Sequence, residues 1–361
     1  MNISGVMIAR PFNNSAGTSV IEEDTLQAIT FDRTENTGVS IPPTSQAISD
    51  PSLFDFTGIT TYASNGTIEA GSILTVTIYL SGGQEGEAIT SHPGSRITSY
   101  LSLGNQVSAA NLTGTQVQSL AHWYFLSAIE AWAPLPASTF VIVGDSITDG
   151  RGSTTDLNNR WPDLLFTRLQ SSPSTNAISV ANQAAGGNRI LADGLGPSAL
   201  SRIDRDVLSQ SGVKYAMIFE GVNDIGTAAA DPAAQTEVYN SLIAAYRQMI
   251  SRIHAKGIPV FGATITPFGS RNSTLQPYSD PAGYREVTRA KVNDWIRSSG
   301  EFDAVVDFDA VVRDGQNVTM LDPHYDSGDQ LHPNVDGYLA MVDSFPIDLF
   351  GKWAGGVNTL V

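Results

Sequence analysis

From Phe140 on, the chain repeats one order, a short apolar run, a polar loop, then a helix-like stretch, with five apolar runs in all. The apolar runs are Phe140 to Val143, Ile178 to Asn182, Tyr215 to Glu220, Pro259 to Thr264 and Ala304 to Phe308. The clearest intervening helix is expected from about Pro232 to His254. There Val238, Leu242, Ala245, Met249 and Ile253 step by three and four along one face, and Gly257 follows as a stop. Strands that alternate with helices demand right-handed crossovers and a parallel sheet covered on both faces. This order fixes the α/β class of the second half, and sites in such sheets gather beyond the carboxyl ends of the strands.

The first 135 residues have a different texture. They are rich in Thr, Ser, Gly, Ile and Val, and short alternating stretches recur, among them LQAITF, GVSIP, SILTVTIYLSG, SRITSYLS and HWYFLSAIEAW. In ILTVTIYL the apolar Ile73, Val76 and Ile78 interleave with Thr75 and Thr77, the period of a strand with one buried face. An all-β sandwich or jelly roll over residues 1–135 is expected, with Pro134 and Pro136 marking the linker to an α/β domain over 138–361. The opening MNISGVMIARPFNNSAG offers no clear strand pair.

Charge and composition then narrow the function. A net charge of −16 over 361 residues repels phosphate backbones and anionic lipid, which disfavours nucleic acid and electrostatic membrane docking as partners. No run reaches the ~20 apolar residues of a membrane helix, so no membrane insertion is expected. The absence of cysteine removes disulfides, thiolate catalysis and Cys-based metal sites. Asn2, Asn13, Asn65, Asn111, Asn272 and Asn317 each open an Asn-x-Ser/Thr triplet in a stretch that reads as loop or strand end. That pattern suits a glycosylated extracellular protein, with a cytoplasmic one as the plainer alternative and no signal-peptide core in the given chain.

Chemistry is concentrated after the strand ends. The first run stops at Gly144-Asp145-Ser146, where a hydroxyl would be exposed and Gly144 lets backbone approach closely; the same triplet is also an ordinary turn. The second ends in NQAAGGNRIL, which brings Gly186 and Gly187 to the same edge, as backbone donors or a tight turn. The third ends in FEGVNDIG, where the Asn223 carboxamide could donate to an oxyanion or serve a cap or Asx turn. Downstream, YDSGDQLHPNVDGY sets Asp329 three residues before His332, a spacing at which a carboxylate can orient an imidazole. The other histidines match no zinc spacing such as His-Glu-x-x-His.

Taken together and in order, GDSITDG, AGGNR, GVND and DQLHP resemble the blocks of the SGNH hydrolase family, also called GDSL-type esterases and lipases. The resemblance implies a three-layer α/β/α sandwich with a five-stranded parallel sheet. It implies Ser146 as nucleophile and first oxyanion donor, Gly187 and Asn223 as the other two donors, His332 as base and Asp329 as its orienting partner. Asp145, Arg189 and Phe268 become candidates for substrate contact. No cofactor and no metal is called for. RWPDLLFTRL, GPSALSRIDRDVL and FDAVVDFDAVVRD are similar to an extracellular microbial subgroup with an N-terminal β-domain.

The substrate is then a small-molecule or polysaccharide ester. The loop TPFGSRNSTLQPYSDPAGY carries Phe268, Tyr278 and Tyr284, which could floor a sugar cleft, line an acyl groove or only pack the loop down. No amphipathic lid helix is evident, which favours short acyl groups such as acetyl over lipase or lysophospholipase substrates. A reading of another class is a carbohydrate-binding protein with a retired esterase domain.

Overall fold

A computed structural model describes residues 1–53, 68–83, 89–133, 135–270 and 274–359. The chain divides into two compact units, one of residues 1–127 with 155–157 and one of residues 128–154 with 158–361.

The first unit is β-rich, and its described strands are all short. They are β1 (Asn2–Ile3), β2 (Gly5–Ala9), β3 (Gln27–Ala28), β4 (Val39–Ser40), β5 (Thr75–Tyr79), β6 (Ser91–His92), β7 (Thr98–Leu101), β8 (Gln118–Ala121) and β9 (Trp123–Tyr124). All pairings are antiparallel: a three-stranded sheet in the order β3-β2-β5, and the ladders β1-β4, β6-β9 and β7-β8. The opening segment thus does form strands, contrary to the expectation from its sequence. Gly5–Ala9 is the centre of its sheet, and its residues are nearly all buried, so they show no alternation. Ile3, Val6 and Phe31 make a small core, with Val76 and Ile78 packed against it. The Asp156 carboxylate accepts from both the backbone N–H and the hydroxyl of Thr98, each at 2.7 Å, which ties residues 155–157 into this unit.

The second unit contains β10 (Ser138–Gly144), α1 (Ser146–Asp149), α2 (Trp161–Gln170), β11 (Ile178–Asn182), α3 (Ala199–Ile203), β12 (Val213–Phe219), α4 (Val222–Thr227), α5 (Pro232–His254), β13 (Val260–Ala263), α6 (Tyr284–Ser298), β14 (Ala304–Val306), α7 (Phe308–Val312), α8 (Val335–Ser344) and α9 (Leu349–Lys352). The five strands form one parallel sheet in the order β11-β10-β12-β13-β14. Each residue from Phe140 to Val143 is at most 1% exposed, so both faces of the sheet are covered. One face is aromatic. Phe140 and Tyr215 meet Phe350 edge-on at 5.2 and 5.0 Å, and Phe219 lies 5.2 Å from Phe308. Helix α5 begins where Asp231 accepts from the N–H groups of Ala233 and Ala234, with Pro232 in its first turn. The expected strand at Ala304 to Phe308 stops early, at Val306, because Asp307 caps α7 by accepting from Ala310 N–H.

Candidate active site

From Phe140 to Gly150 every residue is buried except Ser146. The strand β10 ends at Gly144, where a Cβ would crowd Thr148 and the Phe219 carbonyl, and Asp145 then caps α1 by accepting from Ile147 N–H at 2.9 Å. Ser146 is therefore the first residue of a helix that starts against the strand end. Its N–H has no acceptor within that helix.

His332 comes from the loop before α8. Asp326 accepts from the N–H groups of Gly328 and Gln330, both at 2.9 Å, and Asn334 caps α8 through Gly337 N–H while donating to the carbonyls of His324 and Asp326. The folded loop brings His332 Nε2 to 2.8 Å from Ser146 Oγ, and His332 Nδ1 to 2.6 Å from Asp329 Oδ2. Asp329 Oδ1 accepts from the N–H groups of Leu331 and His332 at 3.1 and 2.9 Å. Partial burial pushes the Asp329 carboxyl up, but these hydrogen bonds and the His332 imidazole outweigh it and hold the group well below the usual carboxylate range. An ionised carboxylate only accepts, so Nδ1 carries the proton and Nε2 is left to accept from the serine hydroxyl.

Gly187 has φ +73°, a conformation that favours glycine, and its N–H donates to no acceptor among the described residues. The neighbouring Gly186 N–H is taken by Asp149 at 2.9 Å. Asn223 is 3% exposed and caps nothing, since Gly221 occupies the N-cap of α4. Instead its Nδ2 donates to the Asn188 carbonyl at 2.8 Å and its Oδ1 accepts from the Tyr278 hydroxyl at 2.7 Å. One N–H of the carboxamide remains.

The candidates for substrate contact diverge. Asp145 is 2% exposed and turned inward as the cap of α1. Arg189 is half-buried and folds back to donate to the Asp193 carbonyl. Phe268 is buried, lies edge-on to Tyr278 at 6.3 Å, and lines a cavity of about 250 Å³ with Tyr278, Ser270, Ser279, Asp280 and Arg285. Tyr284 opens α6 and is exposed. His254 bonds Asp303, just before β14, at 2.8 Å, which puts this pair at the opposite edge of the sheet. Among the described residues no group of three or more His, Cys, Asp or Glu side chains is arranged to hold a metal.

Behind the site lies a buried polar network drawn from the same stretches of sequence. Arg202, 5% exposed, donates to Asn188 Oδ1 through Nε and Nη2 at 3.0 and 2.8 Å, to the Gln183 carbonyl, and to Asp206 at 2.8 Å. Asp224 accepts from Ile190 and Leu191 N–H, both at 2.9 Å, and so fixes the same loop from the other side. Burial pushes the Asp224 carboxyl up to about 6 in spite of those bonds, and pushes Asp145 up to about 7, with the charges of Asp224 and Asp149 adding to it. Glu220 is raised well above its ordinary range by burial. Arg202 Nη2 lies 3.6 Å away, and neither Glu220 carboxyl oxygen has a hydrogen-bond partner among the described residues.

The model of the GDSL-like lipase/acylhydrolase family matches residues 142–340. No curated protein matches the chain. Among solved structures, a carbohydrate acetylesterase family member from Sinorhizobium meliloti is 17% identical, with 60% of this chain and 99% of that one covered and a TM-score of 0.46. A variant of an acetyl xylan esterase from Geobacillus stearothermophilus is 20% identical over 58% of this chain and 94% of its own, at a TM-score of 0.43. A GDSL-like lipase from Bacteroides thetaiotaomicron is 17% identical over 60% and 89%, at 0.42.

Proposed function

Because the chain belongs to the GDSL-like lipase/acylhydrolase family, we propose that this hydrolase cleaves carboxylic esters with Ser146 as nucleophile, His332 as general base and Asp329 as the group that orients it. The observation that carries the reading is the unbroken line of hydrogen bonds from Asp329 through His332 to Ser146.

Ser146 Oγ attacks the ester carbonyl carbon while His332 Nε2 takes its proton. The carbonyl oxygen becomes an oxyanion, held by the N–H groups of Ser146 and Gly187 and the remaining Nδ2–H of Asn223. Collapse of the intermediate expels the alcohol, which leaves with the proton from His332, and an acyl group stays on Ser146. Water then attacks the acyl-enzyme by the same route in reverse and releases the acid.

The substrate we propose is a short acyl ester, acetyl foremost, on a carbohydrate. In support, the cavity walled by Phe268 and Tyr278 is lined mostly by polar and charged side chains, and the Tyr278 hydroxyl joins its wall to Asn223. A net charge of −16 disfavours anionic lipid surfaces. No helix among the described residues is long and apolar enough to cross a membrane. We also propose an extracellular setting and N-glycosylation; Asn2, Asn13, Asn111 and Asn317 are exposed, and Asn65 and Asn272 lie outside the described residues. The first unit, as a domain of about residues 1–135 before a catalytic domain over 138–361, is proposed to be a structural accessory.

Initial rates on p-nitrophenyl esters from acetyl to long acyl, with Ser146→Ala in parallel, test the reading. The expected result is fastest turnover of acetyl and none in the variant. Fastest turnover of long chains would make the protein a lipase. Equal inactivity of both proteins would favour a carbohydrate-binding role.

A further inference from the structure

Resting on the reading of Asn223 as an oxyanion donor, we propose that Tyr278 is a positioning residue that locks the Asn223 carboxamide in the orientation that presents its remaining N–H. A carboxamide has two ends of nearly equal shape and opposite hydrogen-bonding sense, so its orientation is set by its partners. The Asn188 carbonyl can only accept, and takes one Nδ2–H at 2.8 Å; the Tyr278 hydroxyl donates to Oδ1 at 2.7 Å. Rotating the group by half a turn would set Oδ1 against the Asn188 carbonyl and break both bonds. Burial raises the ordinary titration range of the Tyr278 hydroxyl, which keeps it a donor throughout the working range of a histidine base.

The hydroxyl stands on a firm mount. The ring of Tyr278 lies on α4 against Gly226, where any Cβ would collide with ring atoms Cγ and Cδ2. One short helix therefore receives the tyrosine twice, its hydroxyl at Asn223 and its ring three residues later. Phe268 closes on the ring edge-on at 6.3 Å, and the buried Gln276 side chain donates to the Phe268 carbonyl and accepts from Tyr278 N–H. The far partner is held as well, since Arg202 grips the Asn188 side chain with two N–H groups. Tyr278 also walls the cavity beside Phe268, so it links the wall of that cavity to the oxyanion donor.

A double-mutant cycle on p-nitrophenyl acetate tests this, using kcat and KM for wild type, Tyr278→Phe, Asn223→Ala and the double variant. Tyr278→Phe keeps the ring and removes one hydrogen bond, so kcat is expected to fall about three- to tenfold with KM unchanged. In the Asn223→Ala background the same change is expected to do nothing. Gly226→Ala, which displaces the ring, is expected to lower kcat only where Asn223 is present. An equal loss from Tyr278→Phe with and without Asn223, or a rise in KM alone, would overturn the positioning role and make the tyrosine a packing or substrate residue. If Asn223→Ala itself left kcat intact, the oxyanion reading would fall and this proposal with it, a result distinct from additivity.

Discussion

Ser146 Oγ and His332 Nε2 lie 2.8 Å apart although 186 positions separate them in the chain. Two local devices bring them together: α1 starts directly against the end of β10, and the loop before α8 is folded on the side chains of Asp326, Asp329 and Asn334.

Asp329 sets which imidazole nitrogen carries the proton. Asp329→Asn preserves the shape of the loop but can present an amide to Nδ1 and favour the wrong tautomer. A loss of about 10⁴ in kcat, with KM little changed, is expected from steady-state kinetics.

In the proposed mechanism Asn223 donates to the developing oxyanion. Asn223→Ala is expected to lower kcat by about 10² to 10³ and leave KM and the circular dichroism spectrum as in wild type. A change confined to KM would instead make Asn223 a ground-state contact.

Gly152 has φ +94°, and a Cβ there would run into the Pro333 carbonyl, next to His332, and come within 3.0 Å of Ser327 Cβ. Backbone strain and overpacking add, so Gly152→Ala is expected to cost about 2 to 4 kcal/mol in urea unfolding. Activity per folded molecule is expected to fall as well, because the strain is relieved by moving the backbone that carries His332.

Much of this is legible in the sequence because buried parallel strands carry almost no polar residues until they end. The runs at Phe140 and Tyr215 therefore point to their own last residues, and α5 shows both its cap and its periodic face. The strand Gly5–Ala9 escapes because strands of the first unit are sought by their alternation, and this one, nearly all buried, does not alternate. Asp145 looks like a site residue from its place beside Ser146, yet its neighbour's exposure and its own burial diverge at the first turn of α1. The bond from Tyr278 to Asn223 spans 55 positions and leaves no periodic trace; the nearest sequence signal is Gly226, which makes room for the ring.

Burial pushes the Asp145 carboxyl from 3.8 up to about 7, so between those values the folded chain holds a proton that the unfolded chain has lost. The stability this group contributes is complete below about pH 4 and is lost as pH rises to about 7. Asp145→Asn keeps an N-cap and removes the titration. Above pH 7 the variant is expected to be more stable than wild type by on the order of a few kcal/mol, and therefore to melt at a higher temperature, and to lose that advantage towards pH 4. Parallel melting curves for the two proteins across pH 4 to 8 would refute this.

The central claim is that Ser146, activated by His332, forms the covalent bond to substrate. Its most direct measurement is the mass of the protein and its peptides after treatment with diethyl p-nitrophenyl phosphate, a reagent that phosphorylates activated serine. One diethylphosphoryl group on the peptide that contains Ser146 is expected, absent in Ser146→Ala and formed far more slowly in His332→Ala. Labelling of a different residue, or labelling of wild type and His332→Ala at the same rate, would contradict it.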